Sequence, residues 1–124
     1  MTTISISTEV RDTLASNGAV VALESTIFSN LGLPSPANAQ ALLSCIAAIR
    51  KAGAVPAITA VIDGVARVGL NESEHERILG PAKKAGEREL ALAIAQKWSV
   101  GATTVSASLL LSARAGIGVF ATGG

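Results

Sequence analysis

A single glutamate stands at the end of an apolar run near the start of the sequence. Glu24 follows Val20–Leu23 and precedes Ser25, in the segment VVALESTIFSNLGLPSPAN. Burying a carboxylate without a partner is costly, so Glu24 is paired, neutralised or kept for chemistry. Ligands of α/β proteins bind at the carboxyl ends of strands, and burial disfavours the charged form of a carboxyl group. Glu24 is therefore a candidate proton donor; the alternatives are a lysine partner and a cap for the following loop.

Two further segments carry groups that bind anions. Lys83 and Lys84 follow Gly80-Pro81 in a predicted loop, where either could bind a phosphate or approach Glu24. The alternative is that both are solvated surface lysines. The segment Gly101–Thr104 is predicted as a turn that opens a helix, with Thr103 or Thr104 as its cap, and free amides at a helix N-terminus bind anions. The turn lacks the glycine pattern of a Walker loop or a dinucleotide fingerprint, so its spacing alone defines no ligand.

The other chemically active side chains favour structural interpretations. His75 lies among glutamates in the segment ESEHER, which is more typical of a solvated helix face than of convergent metal ligands. Cys45 falls on the apolar side of a predicted helix and is expected in the core. Asp63 precedes Gly64 and is most simply a turn residue. As the only cysteine, Cys45 has no partner for an intrachain disulfide, which fits a reducing compartment.

The composition restricts the class of protein. The chain has 124 residues, of which 49% are hydrophobic and 15% charged, as expected for one folded globular domain. Its net charge of +1 and its three aromatic residues do not favour nucleic-acid binding. The N-terminus lacks the features of a secretory signal, and the apolar segment Val105–Ala121 is interrupted by serines, glycines and Arg114. We therefore expect a cytoplasmic protein that binds neither nucleic acid nor membranes.

Apolar strands and amphipathic helices alternate along the chain. Strands are predicted at Ala19–Leu23, Ala54–Ile62, Val65–Val68 and Ile117–Ala121. Helices are predicted from about Thr8 to Gly18, Pro36 to Lys51, Asn71 to Gly80, Glu87 to Trp98 and Val105 to Ala115. This alternation predicts an α/β fold with a largely parallel sheet. Because a ligand loop and a covering helix usually follow such a last strand, we expect residues 1–124 to be the N-terminal part of a longer domain.

Six motifs occur in an order typical of one enzyme family. They are VALEST, GLPSPAN, AGAVPAITAVIDG, VGL with an acidic helix after it, GATTV and AGIGVFATGG, and they extend from Val20 to Gly124. Together they resemble the pseudouridine-5′-phosphate glycosidase family, also called the indigoidine synthase A-like family. The resemblance implies a three-layer α/β/α fold with a mixed, largely parallel sheet, truncated in this chain. It also implies a manganese-dependent enzyme that is a homotrimer when complete.

The family reaction implies roles for individual residues. The family reversibly splits pseudouridine 5′-phosphate into uracil and ribose 5-phosphate, in nucleoside catabolism. A carbon–carbon glycosidic bond has no leaving heteroatom for an acid to protonate, so two-carboxylate glycosidase chemistry is unsuitable. The family is thought to use a lysine nucleophile that opens the sugar and forms an imine, while a glutamate moves protons. By resemblance, Glu24 is the proton donor, and Lys84, Thr104 and Val105 bind the substrate.

The resemblance also indicates which parts of the machinery are outside this chain. The metal-binding aspartate and the lysine nucleophile of the family follow the ATGG motif. The Mn2+ ligand is therefore expected beyond residue 124, with no metal ligand within the chain. Departures from the family pattern at Ser29–Gly32 and Lys84–Leu90 affect substrate contacts more than fold. The alternatives are a non-catalytic module that binds a phosphosugar or nucleotide, and an inactive fragment.

Overall fold

The computed structural model describes residues 3–123, in which seven strands and five α-helices form. The strands are β1 (Ile4–Ile6), β2 (Val20–Leu23), β3 (Val55–Ile62), β4 (Val65–Val68), β5 (Lys83–Ala85), β6 (Val100–Thr103) and β7 (Val119–Ala121). The α-helices are α1 (Thr8–Ala15), α2 (Ala37–Lys51), α3 (Glu72–Ile78), α4 (Leu90–Ala95) and α5 (Val105–Ala115). Short 3-10 helices occupy Thr26–Phe28 and Glu87–Glu89.

The strands form one mixed sheet with the long strand β3 at its centre. Strands β1, β4, β3, β2 and β7 are adjacent in that order, while β5 and β6 extend the sheet from β3. Four of the strand pairs are parallel, whereas β3 is antiparallel to β4 and to β6. The β3–β4 hairpin turns at Asp63-Gly64, where both residues have positive φ (49° and 77°), as tight hairpin turns require. The predicted turn is confirmed.

Two strands share the same edge of β3, and this arrangement determines where the candidate site lies. Strand β2 pairs in parallel with residues 55–58 of β3, and β6 pairs antiparallel with residues 60–62. Because β2 and β6 run in opposite directions, their carboxyl ends meet head to head opposite Thr59. We call this meeting point of Leu23, Thr59 and Thr103 the strand junction.

Helices cover both faces of the sheet, and each face has its own hydrophobic core. Side chains of β3 alternate between the two, since Ala57 and Val61 belong to one core while Ile58 and Ile62 belong to the other. The first core includes residues of α1, α4 and α5 (Val10, Leu90, Ala93, Ala107 and Leu111). The second includes residues of α2 and α3 (Leu42 and Ile78). The predicted three-layer α/β/α fold with a largely parallel sheet is confirmed.

Local predictions fail where strands are short. Lys83 and Lys84 do not lie in a loop, because Lys83–Ala85 pairs in parallel with β6. The segment Gly101–Thr103 is part of β6 and not a turn. Both segments are strands because they pair with distant parts of the chain. Gly101 also lies close to β3, since a Cβ atom at this position would be 3.1 Å from the Cβ atom of Val61. A side chain there would crowd the neighbouring strand, so the glycine that resembled a turn signal serves close strand packing.

The helix predicted from Glu87 to Trp98 is also shorter than expected. A 3-10 turn at Glu87–Glu89 leads into α4, which ends at Ala95. The chain then reverses through Lys97, whose φ of 51° lies in the left-handed region that ends helices. Across residues 3–123, no helix combines the length and apolarity needed to cross a membrane.

Candidate active site

A cleft of about 580 Å³ opens beside the strand junction. Its walls come from the ends of β2, β5 and β6, the turn before α4, and the start of α5. The lining residues are Glu24, Thr26, Lys84, Gly86, Glu87, Arg88, Glu89, Thr104, Val105 and Ser106. All four predicted site residues, Glu24, Lys84, Thr104 and Val105, are among them. The sheet topology thus brings together groups from three distant segments, while their catalytic and binding roles stay predictions.

Glu24 is buried directly after β2, with 8% of its surface exposed. The hydroxyl group of Thr122 donates a hydrogen bond to its Oε1 atom. No ion pair within residues 3–123 includes Glu24, so the alternative of a lysine partner is not found. The carboxyl group borders the polar cleft and also an apolar cavity of about 210 Å³ lined by Phe28, Cys45 and Ala121, among others. A buried carboxyl group with a hydroxyl partner and access to a ligand cleft is suited to proton transfer.

The N-terminus of α5 forms a second wall of the cleft. Thr104 is the N-cap, because its hydroxyl oxygen accepts a hydrogen bond from the amide of Ala107 at 3.4 Å. The first amides of the helix, at Val105 and Ser106, have no acceptor within the helix. Together with the positive end of the helix dipole, such amides favour an anionic ligand. Of the two caps considered from sequence, the structure therefore selects Thr104.

Cationic side chains lie at the rim of the cleft. Lys84 projects from β5 and Arg88 from the turn before α4, and both are exposed. Neither forms an ion pair with another of residues 3–123, unlike Arg50, Arg67 and Arg77. Their charges are therefore available to an anion in the cleft.

The loop between β5 and α4 is held close to the start of α5. The carboxylate of Glu89 accepts a hydrogen bond from the amide of Gly86 at 3.0 Å. A Cβ atom at Gly86 would lie 2.8 Å from the Oε1 atom of Glu89 and 3.6 Å from the Oγ1 atom of Thr104. Glycine therefore leaves room for the Glu89 carboxylate beside the loop, while the distance to Thr104 is an ordinary van der Waals contact. The amide of Glu87 donates to the hydroxyl oxygen of Ser106 at 3.4 Å, a second link between the two walls.

Ser25 and Thr103 connect the two strands at the back of the site. The Oγ atom of Ser25 accepts a hydrogen bond from the amide of Thr103 at 2.8 Å. The amide of Ser25 donates to the Oγ1 atom of Thr103 at 3.2 Å, and the two hydroxyl oxygens are 3.0 Å apart. Thr26 adds a hydrogen bond from its hydroxyl group to the carbonyl oxygen of Thr103. These contacts fix the end of β2, and with it Glu24, against the end of β6.

The remaining candidates lie outside the cleft. The ammonium group of Lys83 lies over the Trp98 ring, 5.0 Å from its centroid, so of the two lysines only Lys84 reaches the cleft. Asp63 is a turn residue, as predicted; its ion pair with Arg77, at 2.8 Å, lowers the pKa of Asp63. Cys45 is only partly buried and lines the apolar cavity beside Glu24, because the helix face that carries it is not fully covered.

The histidine lies in a groove between two helices, outside the cleft. His75 lies half-buried between α2 and α3, where desolvation lowers the pKa of its imidazole. Within residues 3–123, no three histidine, cysteine or carboxylate side chains converge as metal ligands. The carboxylates of the cleft therefore do not fit a manganese ion by themselves. The expectation that the ligand lies beyond residue 124 stays a prediction.

Comparison with known proteins identifies the family. Residues 9–124 match the family model described as indigoidine synthase A like protein. The chain belongs to the indigoidine synthase A-like family. The resemblance recognised in its sequence motifs is thereby confirmed.

Curated members of the indigoidine synthase A-like family carry the name pseudouridine-5′-phosphate glycosidase. The relative from Streptomyces griseus is 54% identical over 121 residues, which cover 96% of this chain and 37% of the relative. The relative from Escherichia coli K12 is 47% identical, with coverage of 98% and 39%. The chain therefore spans less than half the length of the curated relatives it matches.

Solved structures of the same family share the fold. An indigoidine synthase A-like protein from Thermotoga maritima superposes with a TM-score of 0.83 at 31% identity, over 99% of this chain and 40% of the other. The prealnumycin C-glycosynthase AlnA, solved in complex with ribulose 5-phosphate, gives a TM-score of 0.77 at 36% identity. The match covers 94% of this chain and 37% of AlnA. The α/β fold class is thus shared with proteins that include a carbon–carbon glycoside-forming enzyme.

In this member of the indigoidine synthase A-like family, sequence reasoning missed several cleft residues. Arg88 and Ser106 line the cleft but carried no signal of their own, since a single arginine or serine beside a helix is common on any surface. Gly86 was visible only as a break between two lysines and an acidic segment. The short spacing from Lys84 to Arg88 is the one sequence feature that could have indicated a cationic rim.

Proposed function

We propose that this chain is the N-terminal part of a pseudouridine-5′-phosphate glycosidase. The reaction splits the carbon–carbon bond between ribose 5-phosphate and uracil, reversibly. The observation that supports it is the convergence of a buried carboxyl group, a helix N-terminus and a free lysine on one cleft: Glu24, Thr104–Val105 and Lys84. Relatives with 54% and 47% identity carry this name. Because those relatives are much longer, the activity proposed is that of a protein that also contains their remaining part.

The phosphate group of the substrate would bind at the α5 side of the cleft. Amides of Val105 and Ser106 supply hydrogen bonds to phosphate oxygens, and the helix dipole adds a favourable field. Lys84 and Arg88 supply positive charge from the rim. Charge-assisted hydrogen bonds of this type each contribute roughly 1.5–3 kcal/mol. The phosphate would thereby orient the sugar toward Glu24 at the end of β2.

Glu24 would act as the proton donor of the reaction. When the bond between ribose C1′ and uracil C5 breaks with net addition of water, C5 gains a proton and C1′ gains a hydroxyl group. A carboxyl group buried beside the cleft can hold and deliver that proton. The hydrogen bond from Thr122 keeps Oε1 oriented. The lysine that opens the sugar ring is proposed to lie outside this chain, so no residue here is assigned that step.

Further properties of the complete enzyme are proposed on the family resemblance. They are dependence on manganese, assembly as a homotrimer, and action in the cytoplasm without nucleic-acid or membrane partners. The described residues contain no ligand set for the metal, so we assign no step to it. The net charge of +1 supports the absence of a nucleic-acid partner.

A chimeric enzyme tests the proposed function. This chain replaces the matching N-terminal segment of the Streptomyces griseus relative, and uracil release from pseudouridine 5′-phosphate is measured with manganese present. The expected result is turnover by the chimera and none by the isolated chain. A chimera that folds and assembles like the parent but releases no uracil would overturn the proposal. Binding of ribose 5-phosphate without turnover would then favour the phosphosugar-binding module considered above.

A further inference from the structure

The strand junction interrupts the hydrogen-bond ladder on one edge of β3. Leu23 at the end of β2 is opposite Ile58. Ala102 near the end of β6 is opposite Ala60. Thr59 therefore faces the gap between the two strands, where one backbone hydrogen bond, from the Ser25 amide to the Thr103 carbonyl oxygen at 3.3 Å, joins the residues at the two strand ends. Because the junction is buried, any backbone group left unpaired there would be costly.

Buried hydroxyl groups supply further hydrogen bonds at the strand junction. The Oγ1 atom of Thr103 donates to the carbonyl oxygen of Thr59 at 2.8 Å and is 2.8 Å from the Oγ1 atom of that residue. The Oγ1 atom of Thr59 is 3.2 Å from the carbonyl oxygen of Leu23 and 2.7 Å from the Oγ atom of Ser108 on α5. Thr103 thus contacts Thr59 on β3 and Ser25 at the end of β2. Through Thr59 it is also connected to Ser108 on α5, the helix whose start forms a wall of the cleft.

The network lies one residue away from both proposed working groups. Glu24 directly precedes Ser25, and Thr104 directly follows Thr103. Ser25 and Thr103 are 78 positions apart in sequence yet share four hydrogen-bond contacts, three through their hydroxyl groups and one from the Ser25 amide to the Thr103 carbonyl oxygen at 3.3 Å. This pair of residues therefore links the segment that carries Glu24 to the segment that begins α5, together with the hydrogen bond from Thr26 to the carbonyl oxygen of Thr103.

We propose that Thr103 is a positioning residue of the candidate active site, holding Glu24 in register with the anion-binding start of α5 through Ser25 and Thr59. Its meaning for catalysis rests on the proposed function, whereas its effect on geometry does not. Valine matches the shape of threonine but its side chain offers neither a donor to the carbonyl oxygen of Thr59 nor a hydroxyl contact with Ser25, which leaves Ser25 only its hydrogen bonds to the backbone of residue 103. Serine keeps both, so it should preserve the register.

If Thr103 only stabilised the fold, its replacement would act like the loss of any other buried hydroxyl group. A residue of α5 provides the control for this alternative. Ser112 is also a buried hydroxyl residue, 3% exposed, and it donates to the carbonyl oxygen of Ser108 at 2.6 Å. This hydrogen bond lies within α5, one turn further from the cleft. Ser112→Ala should therefore reduce stability without changing the position of Glu24 relative to the start of α5.

The test uses the full 124-residue chain with uniform ¹³C and ¹⁵N labels. We measure the ¹³C shift of the Glu24 carboxyl carbon, the amide shifts of Val105 and Ser106, and the Kd for ribose 5-phosphate. Thr103→Val is expected to move all three signals and to weaken binding at least tenfold. Thr103→Ser should show the wild-type signals and the wild-type Kd, and Ser112→Ala should change only the melting temperature. Unchanged signals in Thr103→Val, or equal changes in Ser112→Ala, would overturn the proposal.

Two contingencies are covered by the same samples. If Thr103→Val does not fold, Ser25→Ala decides, because it removes the acceptor for the amide of Thr103 while keeping both strands. Signals of Glu24 and Val105 that stay in place in Ser25→Ala would then refute positioning. If the wild-type chain shows no affinity for ribose 5-phosphate, the proposed binding role of this region fails. The carboxyl and amide shifts still decide whether Thr103 sets the geometry.

Discussion

Replacing Glu24 with glutamine tests the central chemical assignment with little disturbance of the fold. Glutamine has the same shape, and its carbonyl oxygen still accepts the hydrogen bond from Thr122. The substitution replaces one carboxyl oxygen by an amide group, and a change confined to one hydrogen-bonding atom costs on the order of 1 kcal/mol. No ion pair within residues 3–123 is broken, since none includes Glu24. We therefore expect a small decrease in melting temperature and an intact fold.

The effect of Glu24→Gln on turnover should be much larger. An amide cannot deliver a proton at neutral pH, and a positioned general acid contributes roughly 10²- to 10⁴-fold to rate. The assay is uracil release by the chimeric enzyme, with kcat and KM measured separately. We expect kcat to fall by about that factor, with KM for pseudouridine 5′-phosphate changed far less because the proposed phosphate contacts come from other residues, Lys84 and the start of α5.

A control and an opposite outcome make this prediction decisive. Glu76 is an exposed glutamate on α3, away from the cleft, so Glu76→Gln should leave kcat unchanged. Turnover within a few-fold of wild type in Glu24→Gln, in a chimera whose fold is intact, would refute the role of Glu24 as proton donor. A loss of folding comparable in the two variants would instead refute the estimate of the structural cost.

Three further predictions follow from contacts elsewhere in the chain. Lys84→Met should weaken the binding of ribose 5-phosphate, measured by titration, about tenfold or more because a charge-assisted contact is lost. Lys83→Met should not weaken it, since the ammonium group of Lys83 lies over Trp98. Equal losses in the two variants would contradict the assignment of Lys84 to the cleft. Asn71→Ala removes the capping box of α3 and should cost about 1 kcal/mol in denaturant unfolding, and no change would argue against that cap. His75→Gln should flatten the pH dependence of stability. Burial lowers the pKa of His75 in the folded state, so wild type loses stability as pH falls below about 6.5, its ordinary value; parallel profiles would refute this.

Long apolar segments made most of the fold predictable. The strands near Val20–Leu23 and Val55–Ile62, and the helices α2 and α5, were predicted to within about two residues, since their burial produces a clear hydrophobic pattern. The short strands β1, β5 and β6 were not predicted. Each has only three or four residues, too few to show a hydrophobic pattern. In Lys83–Ala85, two of the three residues are exposed lysines. Such strands are stabilised by pairing with distant partners, which local sequence does not reveal.

The site was predictable in part, and mainly from ordered motifs. Spacing alone left three interpretations of Glu24: a proton donor, a partner of a lysine, or a cap for the following loop. It also did not show which of Lys83 and Lys84 binds an anion. The family resemblance selected Lys84, and the geometry agrees because alternate residues of β5 point to opposite sides. Arg88 and Ser106 were missed since their place in the cleft depends on how the turn before α4 packs against α5.

The direction of β6 explains why a glutamate can stand at the end of a buried strand. In an all-parallel sheet the carboxyl ends of neighbouring strands lie side by side along one rim, about 4.8 Å apart and open to solvent. Here β6 runs against β3, so its carboxyl end meets that of β2 head to head beside the middle of β3. The loop after β2 and the helix after β6 consequently leave the sheet at one buried point. That geometry holds Glu24 at 8% exposure and still places it beside an open cleft, which a position on the rim of the sheet would not provide.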